Sequence, residues 1–356
     1  MREMITRYAP APTGFLHLGH VVNAIYVWGA ARAHAGRVLL RIEDHDRQRS
    51  RAGFEAAIVE DLEWLGFRAD GPMVRQSERG DIYSQALDTL RAQGLVYGCA
   101  CSRAEIADAT ATLKGCATAV TKTTPIDETT RADETAPANE TTFVDPVASG
   151  TVTSVAQPFR AAHSDELWYP GTCRERGLAD GPGVGLRVRL DPSVERFVDL
   201  RHGSQEQRPS EQCGDLLVRD RAGNWTYQFV ATVDDFVQGV THVIRGDDLL
   251  ASTGRQIQLA RLLGRAEPPA FLHHPLIMKS PGLRERFASS SLRPGTPEPS
   301  AKAAAQKLSK SDGDSGVRDL RAKGWTAERV IGHAASLVGL CEIGKELPAR
   351  EVQNLV

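Results

Sequence analysis

The 356-residue chain lacks an excess of charge of either sign: 43 Lys and Arg stand against 45 Asp and Glu, a formal net charge of −2. That balance excludes a uniformly basic nucleic-acid-binding chain, so an RNA partner would have to be met by a local patch. The chain also lacks any apolar run approaching the roughly 18 residues that cross a bilayer. Met1 is not followed by a charged start, an apolar core and a small-residue cleavage site. A cytoplasmic location with no membrane partner is therefore expected. Disulfides are scarce there, which leaves the six cysteines as thiols or metal ligands. Large apolar residues are themselves nearly missing from two stretches, about 114–154 and 279–306; the first contains TKTTPIDETTRADETAPANETTF. Such segments bury too little surface to offset their ordering entropy, and both are expected to be flexible insertions.

What remains is ordinary globular sequence, 41% apolar and 25% charged, long enough for two or three domains. EMITRYA reads as a strand, and GHVVNAIYVWGAARAHAG places Val21, Ala24, Ile25, Trp28 and Ala31 at helical spacing before Gly36. RVLLRIED reads as a second strand, and Phe54, Ile58, Leu62 and Leu65 form the stripe of a second helix. This β-α-β-α order implies an α/β fold with a parallel, doubly wound sheet. Downstream, GVGLRVRL and GDLLVRDRAGNWTYQFVATVDD read as strands joined by a turn at Gly223-Asn224, followed by a strand in QGVTHVIRG and a helix from Ser252 to Leu263.

The stretch APTGFLHLGH, residues 11–20, places His17 and His20 around Gly19. Histidines three apart can share zinc on one helix face, but Pro12, Gly14 and Gly19 favour a loop entering a helix, and no nearby carboxylate or cysteine completes a set. A Gly-containing turn at a helix N-terminus instead presents N–H groups and a positive dipole end to phosphate, with two imidazoles as further donors. KLSKS, Lys307 to Ser311, supplies a second element: Lys310 on a mobile loop can neutralise a pyrophosphate leaving group, although an isolated KLSK is commonly a solvated basic loop.

RYAPAPTGFLHLGH, RIEDHD and KLSKS, in that order, resemble the signatures of the glutamyl branch of the class I aminoacyl-tRNA synthetases over residues 5–110, 165–278 and 307–320. The resemblance implies ATP bound at His17, Gly19, His20, Lys307 and Lys310, with His17, His20 and Lys310 catalytic and Mg²⁺ accompanying ATP. It implies glutamate held by Arg7, Tyr8, Ala9, Pro10 and Ala11, by Glu43, and by Tyr227 and Arg245 from a later strand pair. The chemistry of these residues agrees, since glutamate offers two carboxylates for guanidinium forks and an ammonium for a carboxylate. Each also has a plainer reading: Arg7 and Arg245 as surface strand residues, Glu43 as the partner of Arg41 or His45. Ala11 replaces a serine common in the family, a lost hydroxyl that costs on the order of 1 kcal/mol of binding.

Cys99 and Cys101, with Cys173 far downstream, suggest zinc, which prefers four ligands. The resemblance implies one Zn²⁺ per chain and supplies Tyr169 as the fourth ligand, through the pattern Cys-x-Cys then Tyr-x-x-x-Cys. Cys213 and Cys341 are expected to be small apolar residues in packed elements. Only about 40 residues follow KLSKS, so two or three helices and no anticodon-binding domain are expected there. That resembles the truncated members of the branch, which join glutamate to the queuosine base at the wobble position of tRNA(Asp). The implied fold is a Rossmann-like sheet carrying an inserted zinc-binding subdomain of the acceptor type and a short helical C-terminal region. The implied division is 1–98 and 191–278 for the catalytic domain, 99–190 for the zinc-binding insertion, 279–306 for a flexible insertion, and 307–356 for the signature loop and C-terminal helices. The implied partners are ATP, L-glutamate and tRNA(Asp) bearing queuosine, acting on a monomer. Arg47, Arg49 and Arg51 could touch phosphate or be solvated.

Overall fold

The computed structural model describes residues 3–119, 167–279, 306–307 and 316–356, with the backbone alone for 112–119, 278–279 and 306–307. In chain order the first part runs β1 (Ile5–Tyr8), α1 (Leu18–Ala33), β2 (Arg37–Ile42), α2 (Ala52–Leu65), β3 (Val74–Arg75), α3 (Gly80–Ala92), β4 (Val96–Cys99) and α4 (Arg103–Ala119). The second runs β5 (Gly185–Val188), β6 (Glu195–Asp199), β7 (Gly203–Gln207), α5 (Pro209–Cys213), β8 (Leu216–Arg219), α6 (Tyr227–Val237), β9 (His242–Gly246), α7 (Thr253–Leu262), β10 (Ala270–His274) and β11 (Met278–Lys279). Last come β12 (Gln306–Lys307), α8 (Val317–Ala322), α9 (Ala327–Leu337) and a 3-10 turn over Ala349–Asn354.

β1, β2 and β3 pair in parallel, as do β9 with β10 and β10 with β6, while β7 closes the second sheet antiparallel to β6. The two sheets meet at β1 and β9: the Thr241 amide donates to the Ile5 carbonyl at 2.8 Å, and the Thr241 hydroxyl accepts from the Ile5 amide at 2.8 Å. The parallel α/β fold expected from the strand-helix alternation is thus present. Helix α1 is apolar nearly all round because it is covered on both sides, by the sheet and by the C-terminal 3-10 turn. Gly29 makes that second contact possible, since a Cβ there would sit 2.9 Å from the Val352 carbonyl oxygen. Each fully buried Val or Ile on this helix contributes about 1.5–3 kcal/mol. Helix α2 stops where Gly66 takes φ +82 and caps it through the Leu62 and Glu63 carbonyls.

A separate antiparallel sheet, ordered β4-β5-β8, carries Cys99 at the end of β4. Here one expectation fails. The turn at Gly223-Asn224 is present, with the Asn224 and Ala222 amides donating to Asp220, but WTYQFVATVDD is not a strand. Its β-branched composition is overridden by packing: as helix α6 it buries Phe229, Val230 and Val233 against Tyr83, Leu87 and Leu259. Helix α4 likewise carries backbone order past Lys114 to Ala119, into the stretch read as structureless. The rest of that stretch lies outside the described residues, as does most of the second one, whose ends pair antiparallel as β11 and β12. Among the described residues no helix is long and apolar enough to cross a membrane.

Candidate functional site

The N-terminus of α1 is built by its own histidines. The Gly19 amide donates to His17 Nδ1 at 3.0 Å, and the His17 amide donates to His20 Nδ1 at 3.1 Å, a reciprocal capping box. Because an amide N–H only donates, both Nδ1 atoms are lone pairs, and in the neutral rings the proton sits on Nε2. The rings lie 4.0 Å apart, centroid to centroid. A Cβ on Gly19 would come within 2.8 Å of His17 Cε1, so this glycine is required for the ring to cap the helix. Backbone pairing joins His17 to Gly316, and the Val317 amide donates to the Leu16 carbonyl at 2.9 Å. Gly316 follows the KLSKS segment; Lys310 and the side chain of Lys307 lie outside the described residues.

At the carboxyl ends of β1, β2 and β9 a charged network fills the space behind this helix. Arg7 Nε donates to Asp235 Oδ1 at 3.0 Å and its Nη1 to the Ile244 carbonyl at 3.1 Å. The fully buried Arg41 reaches the same Asp235 oxygen at 2.7 Å, Glu43 Oε1 at 3.3 Å and Gln238 Oε1 at 3.0 Å. Burial alone would raise the Asp235 carboxyl, yet the Arg7 and Arg41 charges outweigh it and hold it down to about 2. Glu43 is buried and its carboxyl is pushed up by desolvation, against the pull of Arg41 and then Arg7. Asp234 is gripped by Arg79, Tyr83 and Gln76.

Arg245 is held differently. It is 4% exposed, and its donors go to three neutral acceptors: Nε to His273 Nε2 at 3.0 Å, Nη1 to Gln256 Oε1 at 2.7 Å and Nη2 to Thr253 Oγ1 at 2.9 Å. No carboxylate ion-pairs with it among the described residues. Tyr227, the first residue of α6, stands beside it; burial and then Glu43 raise the phenol, while Arg245 and Arg7 oppose the rise.

The structure thus brings together Arg7, Glu43, Tyr227 and Arg245, all singled out in the sequence. Tyr8 departs from expectation. Strand alternation turns it opposite to Arg7, into the core, where it is 1% exposed, packs on Trp28 at 5.1 Å and donates to the His20 carbonyl. Ala9 and Ala11 are half-buried; the Pro10 carbonyl accepts from the Glu43 amide at 3.0 Å and the Ala11 carbonyl from the Thr13 amide at 2.8 Å. Tyr227 comes from a helix instead of a strand. Arg41, Asp235, His273 and Asp199 were not singled out as site residues; a guanidinium in the middle of RVLLRI was the one available signal, since an unpaired charge is rarely buried in a strand.

The sulfurs of Cys99, Cys101 and Cys173 lie within 4.8 Å of one another. Cys101 and Cys173 are 3.4 Å apart, and the Tyr169 hydroxyl is 3.4 Å from Cys99 and 2.8 Å from the Cys173 amide. Tetrahedral zinc with bonds of about 2.3 Å needs sulfurs about 3.8 Å apart, so the three thiols fit it in kind and spacing, with the Tyr169 hydroxyl at the edge of the group. Two cations face the group: the Arg187 guanidinium lies 3.7 Å from the Tyr169 ring centroid, and Arg176 Nη1 is 3.7 Å from Cys173 Sγ. Gly214 is also required here, because at φ +67 a Cβ would overlap the Tyr169 carbonyl oxygen at 1.9 Å. Cys213 is buried as expected, and Cys341 is half-buried with its thiol on the Gly332 carbonyl.

Residues 3–141 and 170–282 match the family described as tRNA synthetases class I (E and Q), catalytic domain. Over 274 residues, 77% of the chain, it is 41% identical to the glutamyl-Q tRNA(Asp) synthetase of Bordetella bronchiseptica and covers 71% of that protein. Over 324 residues it is 36% identical to the glutamyl-Q tRNA(Asp) synthetase of Burkholderia cenocepacia, covering 89% of this chain and 92% of that one. Its fold is similar to that of a glutamate tRNA ligase from Elizabethkingia meningosepticum, with a TM-score of 0.65 at 23% identity. That match takes in 100% of this chain and 65% of the ligase, so the chain spans about two thirds of that enzyme's length.

Proposed function

The chain belongs to the class I tRNA synthetases for Glu and Gln, and from that premise we propose that it activates L-glutamate with ATP and transfers it to the queuosine base of tRNA(Asp). The observation that carries the first half is Arg245, a buried guanidinium with which no carboxylate ion-pairs among the described residues, next to Arg7, Glu43 and Tyr227. Around it Arg7, Arg41 and Arg79 pair directly with Glu43, Asp234 and Asp235, while no described carboxylate ion-pairs with Arg245. Glutamate offers that guanidinium a side-chain carboxylate where glutamine offers a neutral amide, which favours the acid. Arg245 takes a substrate carboxylate, and Glu43, whose second oxygen accepts no hydrogen bond in the described residues, takes the ammonium. The second half follows the relatives of the same name, which align over most of their length.

ATP lies at the α1 N-terminus, where the helix dipole and the Nε2–H groups of His17 and His20 meet its phosphates. The glutamate α-carboxylate attacks the α-phosphorus in line, forming the mixed anhydride and releasing pyrophosphate, with Mg²⁺ and Lys310 offsetting the charge. A ring hydroxyl of queuosine then attacks the anhydride carbonyl, and AMP leaves. Positioning does most of the work in both steps. Cys99, Cys101, Tyr169 and Cys173 would hold a zinc ion, which would tie the β4 end to the segment after residue 166 and supply structure, not reaction chemistry. The chain acts as a monomer in the cytoplasm.

The test is pyrophosphate exchange into ATP by the purified chain. Exchange that depends on glutamate and needs no tRNA, and that is lost in Lys310→Ala, supports the reading. Exchange that requires tRNA, or that glutamine supports equally, contradicts it.

A further inference from the structure

Strands β6, β10 and β9 lie side by side; at their carboxyl ends Asp199, whose register partner is Phe271, reaches with its side chain to His273, so Asp199, His273 and Arg245 form one row of contacting side chains. His273 is the register partner of Arg245. Its Nδ1 lies 2.7 Å from Asp199 Oδ2, which also accepts the His273 amide at 3.1 Å. Its Nε2 faces Arg245 Nε at 3.0 Å. A guanidinium N–H only donates, so Nε2 is the lone pair and the ring proton is on Nδ1, directed at Asp199. The Thr253 hydroxyl, 3.3 Å from the same Nε2, accepts from Arg245 Nη2 and closes the ring of contacts. All three side chains of the row are nearly inaccessible to solvent.

The chemistry of this row differs from that around Arg7 and Arg41, which both lean on Asp235. A carboxylate in place of His273 would hold Arg245 equally well and cancel its charge. An imidazole of fixed tautomer holds it without an ion pair and keeps the Asp199 carboxylate one ring away. We propose that His273, oriented by Asp199, is a positioning residue that aims Arg245 at the substrate carboxylate while leaving its charge available, so the pair sets affinity for the amino acid without touching it. This rests on the reading of Arg245 as the partner of a glutamate carboxylate.

In Asp199→Asn the new amide can present an N–H to Nδ1, which moves the ring proton to Nε2 and sets donor against donor at Arg245. The experiment is glutamate-dependent pyrophosphate exchange with the full chain, varying glutamate and ATP separately, each variant first checked for wild-type circular dichroism and melting behaviour. Asp199→Asn is expected to raise KM for glutamate about tenfold or more, with KM for ATP and kcat changed less than about threefold, the pattern of lost binding that is uniform through the reaction. His273→Gln, whose amide can accept from Arg245 and donate to Asp199, is expected to stay within about threefold of wild type, whereas His273→Glu raises KM for glutamate about tenfold. Glutamate KM unchanged in Asp199→Asn, a parallel rise in both KM values, or equal behaviour of His273→Gln and His273→Glu overturns the proposal. The His273 pair decides the matter should Asp199→Asn fail to fold. Arg245→Leu separates the two levels: if it keeps glutamate binding, the assignment of Arg245 is wrong, and if it loses binding while Asp199→Asn does not, only the relay falls.

Discussion

The pocket at the ends of β1, β2 and β9 and the thiol cluster at the end of β4 are both buried groups of ligand-binding side chains, yet they are held in opposite ways. In the pocket, guanidinium and carboxylate side chains satisfy one another and leave one cation, Arg245, in neutral hands. In the cluster, three sulfurs and a phenol have chiefly each other, at separations that a central ion would bridge. A ligand therefore enters the first as an added charge on a finished frame, and the second as the missing centre of an unfinished one. Losing the ligand should leave the pocket folded and loosen the cluster.

The largest effect that would sharpen this contrast is expected from Arg245→Leu, with kcat/KM for glutamate in the exchange reaction falling about 10³-fold, as removal of one partner of a buried charge-assisted pair costs about 4 kcal/mol. A fall below tenfold would mean that the carboxylate is bound elsewhere. Cys173→Ser should come next: zinc measured by atomic absorption drops from about one per chain to near none, and the melting temperature falls by several degrees, roughly 5 °C. Wild-type melting after chelation would break the comparison by showing that the cluster is also finished without metal. Gly19→Ala pushes on His17 and so should lower kcat of exchange about 10–100-fold with KM for glutamate little changed, since the amino-acid pocket is not touched.

The smallest effect concerns pH. Burial and then the Arg245 charge push the His273 imidazole down to about 4, against the attraction of Asp199. An unfolded histidine takes its proton near 6.5. Between those values the unfolded chain holds one proton more, so this stabilisation is complete above about pH 6.5 and is lost as pH falls toward 4, at about 1.4 kcal/mol per unit. His242, His274 and His333 are shifted the same way and add to the slope. Urea titrations across that range should show stability falling with acid, and a shallower fall in His273→Gln. An unchanged slope in that variant would show that His273 titrates normally.

Part of this was legible in the chain itself. His17, Gly19 and His20 and the three cysteines stand out because short spacing carries their chemistry, a glycine at a helix start and a Cys-x-Cys at a strand end, whereas Glu43 and Arg245 were singled out only through the family resemblance. The relay was not legible, because Asp199, His273 and Arg245 become neighbours only through the order β6-β10-β9, which no local pattern encodes. Asp235 was hidden for a related reason, lying on a segment whose β-branched residues read as strand and whose burial made it helix. Tyr8 could have been read correctly, since period-two alternation already sets it opposite to Arg7. Arg41 was seen only as a partner for Glu43, which it is, while its stronger contact with Asp235 depends on the meeting of β2 with α6.

The most direct test of the proposed activity is to incubate the chain with ATP, labelled glutamate and tRNA(Asp) with or without queuosine, and then to digest the RNA and locate the label. The expected result is label on the wobble nucleotide of queuosine-bearing tRNA(Asp) alone. Label on the 3′-terminal adenosine of any tRNA, tRNA(Glu) above all, would contradict it.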